Sequence, residues 1–232
     1  MSRLQPIIAI DGPVGAGKSV AARELARALG FSYLNTGAMY RAVAIAAREA
    51  GVSSDDANVE ARLAPVLAAI KIKFDGENIM LNGRDVTAKV SEPEIGELAS
   101  RFSALGPVRA RMRDLQRAAG ADGAVVMEGR DIGTAIFPDA EFKFFLDADV
   151  KTRARRRFEE LRKKGTSIAE HEVLEQLIER DRRDSGRELA PLRRADDAIV
   201  IDSTRLSIEA VVAAMKAKFD ARINAAKDLK RA

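Results

Sequence analysis

The chain of 232 residues has no cysteine, one histidine and two tyrosines. Without cysteine there can be no disulfide and no thiolate metal site, and the absence fits a reducing cytoplasm. The first apolar run, Pro6-Ile7-Ile8-Ala9-Ile10, stops at the acid Asp11. A secretory leader needs roughly 7–15 apolar residues, so none is expected. No stretch approaches the roughly twenty apolar residues of a bilayer span, and no membrane partner is expected either. Hydrophobic residues at 47% and charged residues at 32% are the balance of a folded soluble chain and exclude long disorder. The net charge is only +4, yet residues 151–164 hold eight Lys or Arg against two acids, Glu159 and Glu160. Such a cluster suits nucleic acid, an anionic surface or a polyphosphate, and its plain alternative is a solvated helix face.

Strands alternate with helices, the pattern of a parallel sheet covered on both sides. Short apolar runs at 7–10, 124–127, 142–146 and 198–201 read as buried strands, with a weaker fifth at 31–34. Phe144, Phe145, Ile199 and Ile201 are read as core. Between 60 and 92 the texture changes, because Asp75-Gly76 and Asn82-Gly83 punctuate short apolar stretches as tight hairpins do. This segment is expected to be a small antiparallel subdomain inserted into a single domain of residues 1–232. Helices are expected at 19–29, 36–50, 94–104, 108–119, 152–164, 168–183 and from 208 onward, with Gly30 and Gly51 as natural stops.

Residues 12–19 read Gly-Pro-Val-Gly-Ala-Gly-Lys-Ser, a full G-x-x-x-x-G-K-[ST] motif between a strand and a helix. Glycine lets the backbone curl around phosphate, and the helix that follows adds the positive end of its dipole. Lys18 supplies a mobile charge for the β and γ phosphates, and the Ser19 hydroxyl suits the shell of Mg²⁺. ATP is therefore expected along Gly12, Pro13, Val14, Gly15, Ala16, Gly17, Lys18, Ser19 and Val20. No base-reading Asn-Lys-x-Asp follows for a GTPase, and no strand ends in Asp-Glu as in a mechanical ATPase. Transfer of phosphoryl to a small acceptor remains the better reading.

Arginines beside glycines or strand ends, namely Arg41, Arg109, Arg130, Arg180 and Arg187, suit a phosphorylated acceptor, since the guanidinium clamps phosphate with two bonds. Thr36 and Arg41 follow the second strand and should lie at its carboxyl edge. Glu128-Gly129-Arg130-Asp131-Ile132-Gly133-Thr134 ends another strand and aims one cation and one anion at the same cleft. The residues by themselves reach a P-loop kinase with a phosphorylated acceptor. They leave the acceptor itself open, with UMP, AMP and shikimate among the alternatives, and a nucleic-acid-stimulated ATPase built on the basic cluster is the rival of a different class.

The chain resembles the bacterial cytidylate kinases, P-loop nucleoside monophosphate kinases. The matching pieces run nearly end to end: Ile10-Asp11-Gly12-Pro13, Gly15-Ala16-Gly17-Lys18-Ser19, Thr36-Gly37-Ala38-Met39-Tyr40-Arg41, Gly129-Arg130-Asp131-Ile132-Gly133-Thr134, Phe137-Pro138-Asp139-Ala140, Phe145-Leu146-Asp147-Ala148, Arg180-Asp181, Asp184, Arg187 and Ala190-Pro191-Leu192. The glycine loop is generic, whereas Gly-Arg-Asp-Ile-Gly-Thr with the later Arg-Asp-x-x-Asp-x-x-Arg is specific. The resemblance implies transfer of the γ-phosphoryl of MgATP to CMP or dCMP by a cytoplasmic monomer that binds no nucleic acid. Its fold would be an α/β P-loop kinase: a five-stranded parallel sheet flanked by helices, with a small antiparallel insert at 60–92 and a helical lid at 150–187.

Ser100, Arg109 and Asp131 would read the cytosine edge, Asp184 with Arg180 would meet the sugar, and Arg41, Arg130 and Arg187 would hold the acceptor phosphate. Thr36 would also serve the CMP side. Two departures from the family pattern stand out: Asn35-Thr36-Gly37 replaces a common Asp-Ser-Gly, and Glu128 replaces a common Asp. Ser19, through ATP, and Glu128 are the candidate Mg²⁺ contacts. Arg153, Arg156 and Arg157 share a helical face and, in a lid, would neutralise charge on the transferred phosphoryl and exclude water. Aromatic residues that would stack single-stranded bases are missing from that segment, apart from Phe158. His171 reads as a surface residue, and Asp147 and Asp149 as caps of the lid helix.

Overall fold

A computed structural model describes residues 5–229. In chain order these form β1 (Ile7–Asp11), α1 (Lys18–Leu29), β2 (Ser32–Asn35), α2 (Thr36–Glu49), α3 (Val59–Ala69), β3 (Ile72–Asp75), β4 (Asn78–Leu81), β5 (Arg84–Asp85), α4 (Pro93–Phe102), α5 (Gly106–Ala119), β6 (Val125–Gly129), β7 (Phe142–Asp147), α6 (Val150–Lys163), α7 (Glu170–Gly186), β8 (Ile199–Asp202) and α8 (Ile208–Leu229). The packing divides them into two units, one over residues 5–33, 122–186 and 190–229, the other over 34–121 and 187–189.

The five-stranded sheet has the order β2-β6-β1-β7-β8. Its centre, β1, pairs in parallel with β6, from Ile7 opposite Val125 to Asp11 opposite Gly129, and with β7, from Ile8 opposite Phe142 to Asp11 opposite Phe145. A strand with parallel neighbours on both sides is covered above and below, which is why Ile-Ile-Ala-Ile shows no polar alternation and is fully buried. Ile8, Ile10, Val126, Phe144 and Leu146 of the sheet pack with Leu25 of α1 and Val211 and Met215 of α8. Phe219 closes this core edge-on to Phe31, with ring centroids 5.8 Å apart, and against Phe142 at 4.8 Å. Each such side chain withdrawn from water contributes about 1.5–3 kcal/mol. A second small cluster, Ala154, Leu161, Val173 and Leu177, joins α6 to α7.

In the other unit, α2 to α5 accompany an antiparallel sheet of order β3-β4-β5. Leu81 pairs with Arg84, so Asn82-Gly83 is a two-residue turn with φ of 50° and 82°, the left-handed pair a tight hairpin requires. Helix α3 falls where only the hairpin texture was anticipated. It buries Leu63 and Leu67, one turn apart, and tolerates Pro65 within it. Ile199 is a correction: at the edge strand β8 it is 37% exposed, while Ile201 is buried as expected.

Candidate active site

The loop after β1 has almost no room for side chains at two points. Gly12 has φ +148°, and a Cβ there would lie 2.0 Å from the Leu146 carbonyl oxygen. Gly15 has φ +80°, and its Cβ would lie 2.9 Å from both Cβ and the carbonyl oxygen of Arg153. Helix α1 then starts at Lys18. Lys18 is buried, and its Nζ donates to the Pro13 carbonyl at 2.7 Å. Burial and the nearby Arg130 charge pull its pKa down to about 7, against the pull of Glu128, Asp11 and Asp184.

Ser19 Oγ donates to Glu128 Oε1 at 2.6 Å, and the same oxygen accepts from the Tyr33 hydroxyl at 3.2 Å. Glu128 is buried at the end of β6. A hydroxyl and a carboxylate brought together are the hard oxygen donors Mg²⁺ prefers, and this ion commonly takes only one or two protein oxygens beside substrate phosphates. No group of three or more His, Asp or Glu side chains placed to hold a metal ion occurs among the described residues.

Asp11 closes the floor. Its carboxylate accepts from the backbone N–H groups of Ile132 at 2.8 Å and Gly133 at 2.7 Å, at the start of a single π turn, Ile132–Ile136. Burial raises its pKa to about 7 despite those two bonds, with Asp131 adding to the rise and Lys18 opposing it. Asp131 is itself buried. Beside it, Arg130 Nε pairs with Asp184 Oδ2 of α7 at 3.0 Å. Arg180 stands one helical turn before Asp184 on α7.

The three arginines expected in the lid have definite partners. Arg153 donates to the Ala148 carbonyl at 2.9 Å, to Val14 of the glycine loop at 3.1 Å and to Asp181 at 2.6 Å. Arg156 donates to the carbonyl and the hydroxyl of Ser203, and that hydroxyl donates to the Ala16 carbonyl. Arg157 pairs with Glu160 on its own helix at 2.7 Å. Asp149 caps α6 by accepting from Thr152 N at 2.9 Å, whereas Asp147 accepts from Ala148 N and is not the helix cap. His171 is exposed, as expected.

The other unit holds the remaining candidates. Thr36 is buried as the first residue of α2, which is capped by the Asn35 side chain accepting from Ala38 N. Asparagine keeps that acceptor where the family often has aspartate. Arg41 donates to the Val90 carbonyl at 2.7 Å and lies against Gly96 of α4. Ser100 is buried, and its hydroxyl has no hydrogen-bond partner among the described residues. Arg109 is buried, donates to the Ser103 carbonyl at 3.1 Å and lies 5.9 Å from the Tyr40 ring centroid. Arg187 falls in the short return of the chain to this unit. Sequence reasoning gave no role to Asp11, Tyr33, Asp181 or Ser203. An acid ending an otherwise apolar strand was the available signal for Asp11, and the Arg-Asp-x-x-Asp motif for Asp181.

A buried lysine opening a helix after a glycine loop, with a carboxylate-bound serine beside it, is the arrangement of a P-loop nucleotide-binding protein. The family model for cytidylate kinase matches residues 8–221. A cytidylate kinase of Citrifermentans bemidjiense is 49% identical over 221 residues, covering 94% of this chain and 94% of its own. One from Geobacter sp. strain M21 is 49% identical over 214 residues, covering 90% and 91%. The chain belongs to the cytidylate kinase family. The solved structure of an uncharacterized protein from Eubacterium ventriosum matches with a TM-score of 0.51 at 14% identity, covering 93% of this chain and 99% of its own, a likeness of fold alone.

Proposed function

We propose that the protein transfers the γ-phosphoryl group of ATP to the phosphate of CMP or dCMP, giving ADP and CDP or dCDP. The observation that carries this reading is the 49% identity over nearly the whole length to a cytidylate kinase, in a chain whose own loop keeps a buried, retained Lys18. An oxygen of the CMP phosphate attacks the γ phosphorus, the bond to the β,γ-bridging oxygen breaks, and ADP leaves with that oxygen. No group need become covalently attached to the protein, because this chemistry depends on positioning and on spreading charge.

Lys18 leaves the Pro13 carbonyl for the β and γ phosphates, along the backbone of Gly12, Pro13, Val14, Gly15, Ala16 and Gly17, with Ser19 and Val20 completing the donor site. Ser19, with Glu128, would hold Mg²⁺, which supplies charge neutralisation at the phosphates when bound. Arg41, Arg130 and Arg187 hold the acceptor phosphate, and Arg180 and Asp184 meet the sugar. Ser100, Arg109 and Asp131 read cytosine: the carboxylate accepts from the exocyclic amine, which uracil lacks, so UMP would leave it unpaired. Thr36 contributes its hydroxyl to the same side. Arg153, Arg156 and Arg157 act on the donor phosphates in a lid of residues 150–187, and residues 60–92 are an acceptor-side insert. The enzyme works as a cytoplasmic monomer without nucleic acid or membrane.

ADP release from MgATP with CMP, dCMP, UMP, AMP, shikimate or single-stranded RNA, against a blank without acceptor, tests the reading. CMP and dCMP alone should stimulate. Asp131→Ala should then weaken CMP use at least tenfold while ATP affinity stays, and unchanged CMP use would remove the base-reading role.

A further inference from the structure

Tyr33 belongs to none of the motifs, yet its hydroxyl donates to the carboxylate oxygen that also accepts from Ser19, at 3.2 and 2.6 Å. We propose that Tyr33 is a positioning residue for the metal that accompanies ATP, fixing the Glu128 carboxylate against Ser19 so that the pair meets the ion in one geometry. This rests on the MgATP donor site of the proposed function.

Glutamate has one more rotatable bond than the aspartate common at this place in the family. Its carboxylate therefore loses more freedom on being fixed, and each bond that reaches it, from Ser19 and from Tyr33, narrows its range. Tyr33 supplies its anchor from a rigid ring with only two side-chain torsions. The strand order β2-β6 places Tyr33 beside Glu128 although 95 residues separate them. The ring is half-buried, packed on the sheet core and 5.8 Å from the Arg23 guanidinium, so its direction is set independently of the hydrogen bond. Partners that orient metal-binding carboxylates in this way affect metal affinity by about 10–100-fold.

The test uses full-length Y33F, E128D and the double variant, with Mn²⁺ as the probe, read by electron paramagnetic resonance in the presence of ATP. Y33F should weaken Mn²⁺ binding about tenfold, the lower end for such partners, while ATP affinity in EDTA stays at the wild-type value. In the E128D background, where the shorter side chain no longer reaches the phenol, Y33F should change nothing. Wild-type Mn²⁺ affinity in Y33F, a fall in metal-free ATP affinity, or an equal loss in both backgrounds would overturn the proposal. E128D keeps the tyrosine packing and removes the same bond, so even if Y33F does not fold, wild-type Mn²⁺ affinity in E128D would overturn the proposal. The readout needs no acceptor, so a wild-type enzyme that ignores CMP would sink the proposed function and leave this test standing.

Discussion

Binding of MgATP at pH 8 should draw a proton out of solution, and the proton should go to Lys18. In the nucleotide-free protein the pKa of this buried lysine is pulled down to about 7. At pH 8 it is then about nine-tenths neutral, and at pH 6 about nine-tenths charged. A polyphosphate laid against the amine restores the charged form. The expected uptake is about 0.9 proton per ATP at pH 8, about 0.5 at pH 7 and about 0.1 at pH 6. Recharging the lysine costs about 1.4 kcal/mol at pH 8, so ATP affinity should fall about tenfold between pH 6 and pH 8. Calorimetric titration in buffers of different ionisation enthalpy, extrapolated over the series, counts the protons directly. Lys18→Met should abolish the uptake, and Asp11→Asn should preserve it, which separates the lysine from its titrating neighbour. An uptake near zero at pH 8 in the wild type would show that Lys18 stays charged in the empty loop, and the argument from its burial would fail.

Asp11 has the opposite sign. Its pKa is raised from 3.8 to about 7, so its contribution to stability is fully present below about pH 4 and lost as pH rises through 7. Asp11→Asn removes that loss, adding a constant cost of about 1–3 kcal/mol for an amide facing a backbone N–H. Urea unfolding should show the variant gaining on the wild type by up to about 4 kcal/mol from pH 4 to pH 8, and a constant difference would refute the assignment. Gly12→Ala would set a methyl group 2.0 Å from the Leu146 carbonyl oxygen. It should cost about 3 kcal/mol or more and lose ATP binding, whereas a melting temperature within a degree of wild type would contradict the close approach.

The parts of this protein legible in the sequence are those that one stretch of chain decides for itself. Strand β1, the glycine loop and α1 follow one another within 23 residues, and periodicity, glycine spacing and the stop at Gly30 each report local backbone geometry. The Asn82-Gly83 hairpin is local in the same sense. Helix α3 escaped because its buried face is only Leu63 and Leu67, too narrow a stripe to stand out beside Pro65. The exposure of Ile199 depends on which strand ends the sheet, a property of the whole sheet order. Within the site, Lys18 and Ser19 could be named from the motif, but the bonds of Glu128 to Ser19 and of Asp11 to Gly133 span 109 and 122 residues. Only the folded sheet brings them together. The roles expected of Arg41, Arg130 and Arg187 came from resemblance, since arginine spacing alone does not say which phosphate it meets.

The glycine loop has one further consequence, in rates. Four of its carbonyl groups have donors before any nucleotide arrives: Pro13 from Lys18, Val14 from Arg153, Ala16 from Ser203 and Gly17 from the first turn of α1. Peptide groups tethered in this way cannot rotate freely, so the loop is ordered during folding and a nucleotide need not wait for it to become so. Three of the four tethers can stay in place as ATP enters; only Lys18 must let go. Capture should then be fast and limited by one side chain, and since the tethers come from α1, α6 and the turn after β8, a change that loosens the loop from any of these elements would slow the arrival of ATP.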